Sequence, residues 1–142
     1  MLEVLVAMLV LSIGLLGLAG LMAASMRNNE SAYHSTQATW LAYDILDRVR
    51  ANRTGAQAGA YNGATLGSPA TCSTTAATGS IAAQDIGNWK NAIACTLPAG
   101  DGAIAVTTSG TNQDRIRVTV QWDDSRATSG SAAQQLIVES QL

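Results

Sequence analysis

Between Glu3 and Arg27 the chain carries no charge, so the run Val4 to Met26 is 23 mostly apolar residues long. As a helix rising about 1.5 Å per residue it spans roughly 34 Å, enough for a hydrocarbon core of about 30 Å. A cleavable signal peptide has a basic flank, a shorter apolar core and small residues at a cleavage site. Here the run is longer and its leading flank is a carboxylate, so it reads as a retained anchor. Gly14, Gly17 and Gly20 interrupt it, each costing about 1 kcal/mol relative to Ala in a helix interior. Close packing between membrane helices is one explanation. A stretch that loosens when the helix leaves lipid is the other.

The pattern changes but the helix is expected to continue. In "ATWLAYDILDRV" the apolar residues are Ala38, Leu41, Ala42, Ile45, Leu46 and Val49, at offsets of 0, 3, 4, 7, 8 and 11. Those offsets mark one helical face, and Asp44 and Arg48 stand four apart on the other side. "NRTG" supplies a stop, with Gly55 in the C-cap region and Arg48, Arg50 and Arg53 favourable near a helix C-terminus. The chain therefore divides at 1–26, 27–53 and 54–142: an all-round apolar half-helix, an amphipathic half-helix and a head domain.

Gly55 to Gly79 is poor in large apolar residues and reads as a long loop. "QDIGNWKNAIAC" predicts a second helix that turns Ile86, Trp89, Ile93 and Cys95 inward, ended by Pro98 and Gly100. "GAIAVTT" reads as a strand and "SGTNQD" as a turn. "RIRVTVQW" alternates, with Ile116, Val118, Val120 and Trp122 on one face. "DDSRATSGSA" is a loop and "QQLIVESQL" a final strand. The expected fold is α+β, a long N-terminal helix packed on a small antiparallel sheet.

Composition adds limits. A net charge of −2 gives no electrostatic case for nucleic acid as main partner. Two cysteines, Cys72 and Cys95, follow a membrane-targeting start, which favours a disulfide in an oxidising compartment. It would close a loop of about 24 residues and stabilise by about 3–3.5 kcal/mol in the chain-entropy picture. His34, the single histidine, is expected as a solvated residue on the polar part of the helix. Asp123 and Asp124 read as loop solvation, and the Arg48, Arg50 and Arg53 group as helix-end electrostatics. Trp40, Trp89 and Trp122 are expected in the core rather than as a stacking platform. No Ser, Cys or Asp has a partner at useful triad spacing. Neither an enzyme nor a cofactor or metal site is expected.

The stretch "LEVLVAMLVLSIGLLGLAGLMAASMRNNESAYHSTQATWLAYDILDRVRANR" closely resembles the N-terminal region of type IV pilins. In detail it resembles the PilV type of minor pilin, the type IV pilus modification protein. The signals are Glu3 at the head of an apolar helix, "SIGLLGLAGL", "RNN…SAY" and "LAYDI.DR.RANR". "GAIAV" and "VTVQWDD" fit later strands more loosely, and 61–83 matches nothing in that family. Precursors of the family carry a basic leader cut by a prepilin peptidase, and their new N-terminus is methylated. Met1 and Leu2 stand where the family has its last apolar residues before the glutamate, so Met1 is expected to be an added or trimmed start.

The resemblance implies that Glu3 neutralises the N-terminal amine of a neighbouring subunit in the filament core. Gly14, Gly17 and Gly20 would lie in the region that loosens on leaving the membrane. The implied partners are other minor pilins and the major pilin. The implied route runs from the bacterial inner membrane, with the head in the periplasm, to the extracellular pilus and its tip. Two alternatives stay open: a pseudopilin of a type II secretion system, built the same way, and a pilus-tip adhesin subunit. For the latter, the Gly55–Gly79 loop is the candidate surface.

Overall fold

The computed structural model describes residues 2–109 and 114–142. Helix α1 (Leu2–Ala51) runs unbroken for 50 residues, through both the apolar and the amphipathic halves. It ends two residues short of the expected 53. At Asn52 the backbone leaves helical geometry (φ −107°, ψ 50°), and a short helix α2 (Arg53–Gln57) follows. Gly55 is therefore inside α2 rather than capping α1. A Cβ there would lie 2.7 Å from the Asn52 side chain, so any other residue at this position makes that side chain shift.

The head begins with residues the sequence pattern read only as loop. Ala56, Tyr61 and Ala64 are buried. Helix α3 (Ile81–Thr96) starts three residues before the expected Gln84, because Ser80 caps it by accepting a hydrogen bond from the Ala83 amide at 3.3 Å. Trp89 and Ile93 point inward and are buried, and Ile86 packs partly against them. Cys95 does not turn inward: it is exposed. It shares a face with Gln84, Asn88 and Asn91, at offsets of 4, 7 and 11 from Gln84, away from the Trp89–Ile93 stripe.

Strands β1 (Asp101–Thr107), β2 (Arg115–Trp122) and β3 (Gln134–Gln141) form an antiparallel sheet in the order β1-β2-β3. Val118 sits at its centre, opposite Ile104 on one side and Val138 on the other. Most of the expected "SGTNQD" turn lies outside the described residues. Alternation puts Ile104, Val106, Ile116, Val118, Val120 and Trp122 on the inner face, all buried. Against them lie Ala38, Ala42, Ile45, Leu46 and Val49 of α1, 0–1% exposed. The small Ala38 and Ala42 let helix and sheet approach closely. This is the long helix on a small sheet that the pattern predicted. Trp40 departs from it: at 68% exposure it faces away from the sheet, since position 40 lies on the opposite side of the helix from the 38–42–45–49 stripe.

Candidate functional site: an apolar helix and the head clamped to it

The first half of α1 has no protein around it. Every residue from Leu2 to Ala23 is exposed, with mean hydropathy 2.6 over an 18-residue window. The helix is long and apolar enough to cross a membrane. Ser12, a polar side chain within the run, donates to the Leu9 carbonyl at 2.8 Å, which satisfies it inside the helix. Glu3 lies in the first turn, where the helix dipole favours a carboxylate, and is exposed. The helix stays regular through Gly14, Gly17 and Gly20, where an added Cβ would meet nothing within 4 Å. No packing inside this chain demands those glycines. Glu3 and the three glycines thus share one bare rod, and the cysteines sit far away in the head.

The head is fastened to the other half by polar contacts as well as by its core. Trp89 Nε1 donates to the Leu41 carbonyl at 2.8 Å, joining α3 to α1. Arg48 pairs with Asp44 on its own helix at 3.0 Å and reaches Asp85 of α3 at 3.7 Å. Arg50 pairs with Asp47 at 3.4 Å and hydrogen-bonds Ser140 of β3. These two arginines lie in the last turn of α1, as helix-end electrostatics requires, but they also tie the helix to the head. Arg53 belongs to α2.

Two buried polar networks fix the segment between α2 and α3. Lys90 Nζ reaches Asp101 at 3.0 Å and donates to the Thr65 and Ser68 carbonyls at 2.7 and 2.9 Å. Asp101 also accepts from the Gly67, Ser68 and Gly102 amides. Burial by itself raises the Asp101 pKa. The Lys90 hydrogen bond, the Gly102 and Gly67 amides and the Lys90 charge outweigh it and hold the carboxyl below its ordinary 3.8. In the second network Tyr61 donates to Asp85 at 2.6 Å and accepts from Asn52 at 3.1 Å. Burial, then the hydrogen bond to Asp85, pushes the phenol up to about 12. Asn62 bonds Val106 through both its amide groups, at 2.6 and 3.1 Å, and the Ile104 amide donates to the Ala64 carbonyl. That covers the outer edge of β1, which would otherwise offer unpaired backbone.

Cys72 and Cys95 form the expected disulfide, with Cα atoms 4.8 Å apart. His34 and Asp124, by contrast, are less solvated than their sequence context suggests. The β2–β3 loop folds back over α1: Asp124 accepts from Ser31 at 2.6 Å, and Thr128 donates to Asn28 at 2.9 Å. The His34 side chain is consequently 13% exposed, with Nδ1 buried and unpartnered. Its Nε2 is 3.8 Å from Glu30. A crevice of about 90 Å³ lies there, lined by His34, Glu30, Arg27 and Asp123 among others. The Ser125 side chain and amide bonded to Asp123 lower its pKa, outweighing burial. Among the described residues, no three His, Cys, Asp or Glu side chains are grouped to hold a metal ion.

Sequence reasoning missed Lys90, Asp101 and Tyr61. Lys90 carried a signal: it sits between Ile86 and Ile93 at helical spacing, so its ammonium needed a buried partner. No protein-family model matches this chain, and neither does any curated protein or solved structure.

Proposed function

We propose that this chain is a minor pilin of the PilV type, which helps prime type IV pilus assembly and enters the pilus with other minor pilins. The observation that carries the proposal is the division of labour along α1. One unbroken helix is bare and apolar from Leu2 to Ala23 and forms a wall of the head's core from Ala38 to Val49. A plain anchor needs neither the continuity nor an acid in its first turn. A subunit that stands in a membrane and then moves into a bundle of like helices needs both. In the bundle, Glu3 meets the N-terminal amine of the adjoining subunit, and the glycines allow the rod to loosen during transfer. The contacts of Trp89, Arg48 and Arg50 between helix and head would couple the movement of the two.

The partners in this scheme are other minor pilins and the major pilin. A prepilin peptidase acts on the precursor in the inner membrane, with the head in the periplasm. The test is deletion with and without retraction. Loss of this protein should leave few surface pili while the major pilin accumulates in the membrane, and blocking retraction should restore some filaments. Normal piliation with lost attachment would favour an adhesin instead, and normal piliation with failed protein export a secretion pseudopilin.

A further inference from the structure

The segment from Thr71 to Ser80 is held in place while burying almost nothing. The buried core stops at Ala64 and resumes at Ala82, and between Thr71 and Ser80 only Ala77 is less than fully exposed in class. Fixing a backbone costs about 1–2 kcal/mol per residue, normally offset by buried apolar surface. Here one polar face of α3 does the holding. Gln84 donates to the Gly79 carbonyl at 2.8 Å, and Asn88 accepts from the Ala77 amide at 2.9 Å. Asn91 clasps the Ser73 backbone with two bonds of 2.7 Å, and Cys95 closes the disulfide to Cys72. Apart from the Cys72 sulfur and the Ala77 methyl, which face α3, the strap is fastened through its backbone, which leaves its other side chains exposed.

Those side chains are of one kind. Half of the 16 residues from Thr65 to Ser80 are Ser or Thr, all exposed. No charged residue occurs between Arg53 and Asp85, although exposed surfaces ordinarily rely on charge for hydration. The serines around the strap have local duties: the Ser73 hydroxyl accepts from the Thr75 amide, and Ser80 caps α3. Thr71, Thr74, Thr75 and Thr78 have none, and Ala70, Ala76 and Gly79 leave open access beside them. We propose that this strap is an acceptor for O-linked sugar on Thr71, Thr74, Thr75 and Thr78. Ser/Thr-rich segments with Pro and small residues are the composition that O-glycosylated stalks use, and the clasp presents these hydroxyls at a fixed place on the head.

In the transfer, a threonine Oγ1 forms a bond to the anomeric carbon of a sugar activated as a phosphate or pyrophosphate ester. The bond from that carbon to the phosphate oxygen breaks, and the phosphate leaves with the electron pair. The hydroxyl proton passes to a base of the transferring enzyme, and nothing is oxidised or reduced. The inference is independent of the pilin proposal, since it needs only an exposed strap and a transferase.

The test uses the full chain isolated from the cells that naturally make it. Trypsin cuts after Arg53 and Lys90, so after reduction residues 54–90 form one peptide. Its mass should exceed the amino-acid mass by whole sugar units, and fragmentation should put them on the four threonines. Changing all four to Ala should remove the added mass while the Cys72–Cys95 link still forms. A 54–90 peptide at its bare mass would overturn the proposal, whether the strap then serves as a bare protein-recognition surface or not. Sugar found only on residues outside the strap would overturn it equally.

Discussion

The indole nitrogen of Trp89 donates to the backbone carbonyl of Leu41 at 2.8 Å, so the second helix of the head is pinned directly to the long helix. The same ring forms a floor for β1, since a Cβ at Gly102 would lie 2.4 Å from Trp89 Cη2. Trp89→Phe keeps most of the packing but leaves the indole's hydrogen bond unmade, so it should destabilise the head by about 1 kcal/mol. Gly102→Ala forces the ring to move and should cost about 1–3 kcal/mol. Denaturant melts of the full chain in detergent check both, and an unchanged midpoint for Gly102→Ala would show that the ring is not held there.

Lys90 and Asp101 make stability depend on acid. The folded state holds the Asp101 carboxyl below 3.8, so the folded chain binds fewer protons there than the unfolded one. The stabilisation is complete above pH 3.8 and is lost as pH falls through the depressed value. Thermal melts should therefore weaken on acidification below pH 3.8 more in the wild type than in Asp101→Asn. At neutral pH, Lys90→Ala leaves a buried carboxylate without its cation and should destabilise by about 3–5 kcal/mol.

Tyr61 supplies a second titration. Its phenol, pushed up to about 12, favours the fold up to the ordinary tyrosine value of 10.0, and this contribution is lost as pH rises through about 12. Ultraviolet titration of wild type and Tyr61→Phe should differ by one phenolate that appears near pH 12 or only on unfolding. A difference near pH 10.0 would contradict the Asp85 network.

The elements of this fold were legible wherever an apolar period was long. Val4–Met26 specified a helix apolar on every side, and the 38–49 stripe and the alternation of 115–122 each specified their element and its buried face. What stayed hidden were contacts set by chain reversal. Tyr61 lies in a segment of Gly, Ala and Asn with no periodicity, and only the turn at Asn52 brings it under α1. His34 and Asp124 looked solvated because neither neighbourhood in sequence shows that the β2–β3 loop returns over Ser31. Cys95 fell next to an apolar stripe, and a shift to the neighbouring face was enough to move it outside. Among the candidate site residues, the cysteine pair was readable from count and context, whereas the Lys90–Asp101 clamp needed the fold.

Cutting the disulfide should loosen the strap more than the sheet, because the sheet and α1 hold their own apolar face. In Cys72→Ser, amide exchange should rise more across 71–79 than across β2, which loses only what the global stabilisation supplied. Equal loss of protection in the strap and in β2 would mean that the disulfide does not hold the strap locally.

Glu3 carries the central claim. An acid near the end of a membrane helix is unfavourable, though less than the roughly 2.5–3.5 kcal/mol of mid-helix, and the first-turn dipole offsets part of that. For a mere anchor, Glu3→Leu should insert slightly better and lose nothing. For an assembly helix it leaves a neighbour's amine unpaired in a low-dielectric bundle. The deciding measurement is the amount of Glu3→Leu protein in sheared pili relative to membranes, beside matched wild type. Normal membrane levels with sharply reduced recovery in pili is the predicted result, and equal recovery of the two proteins would contradict the account.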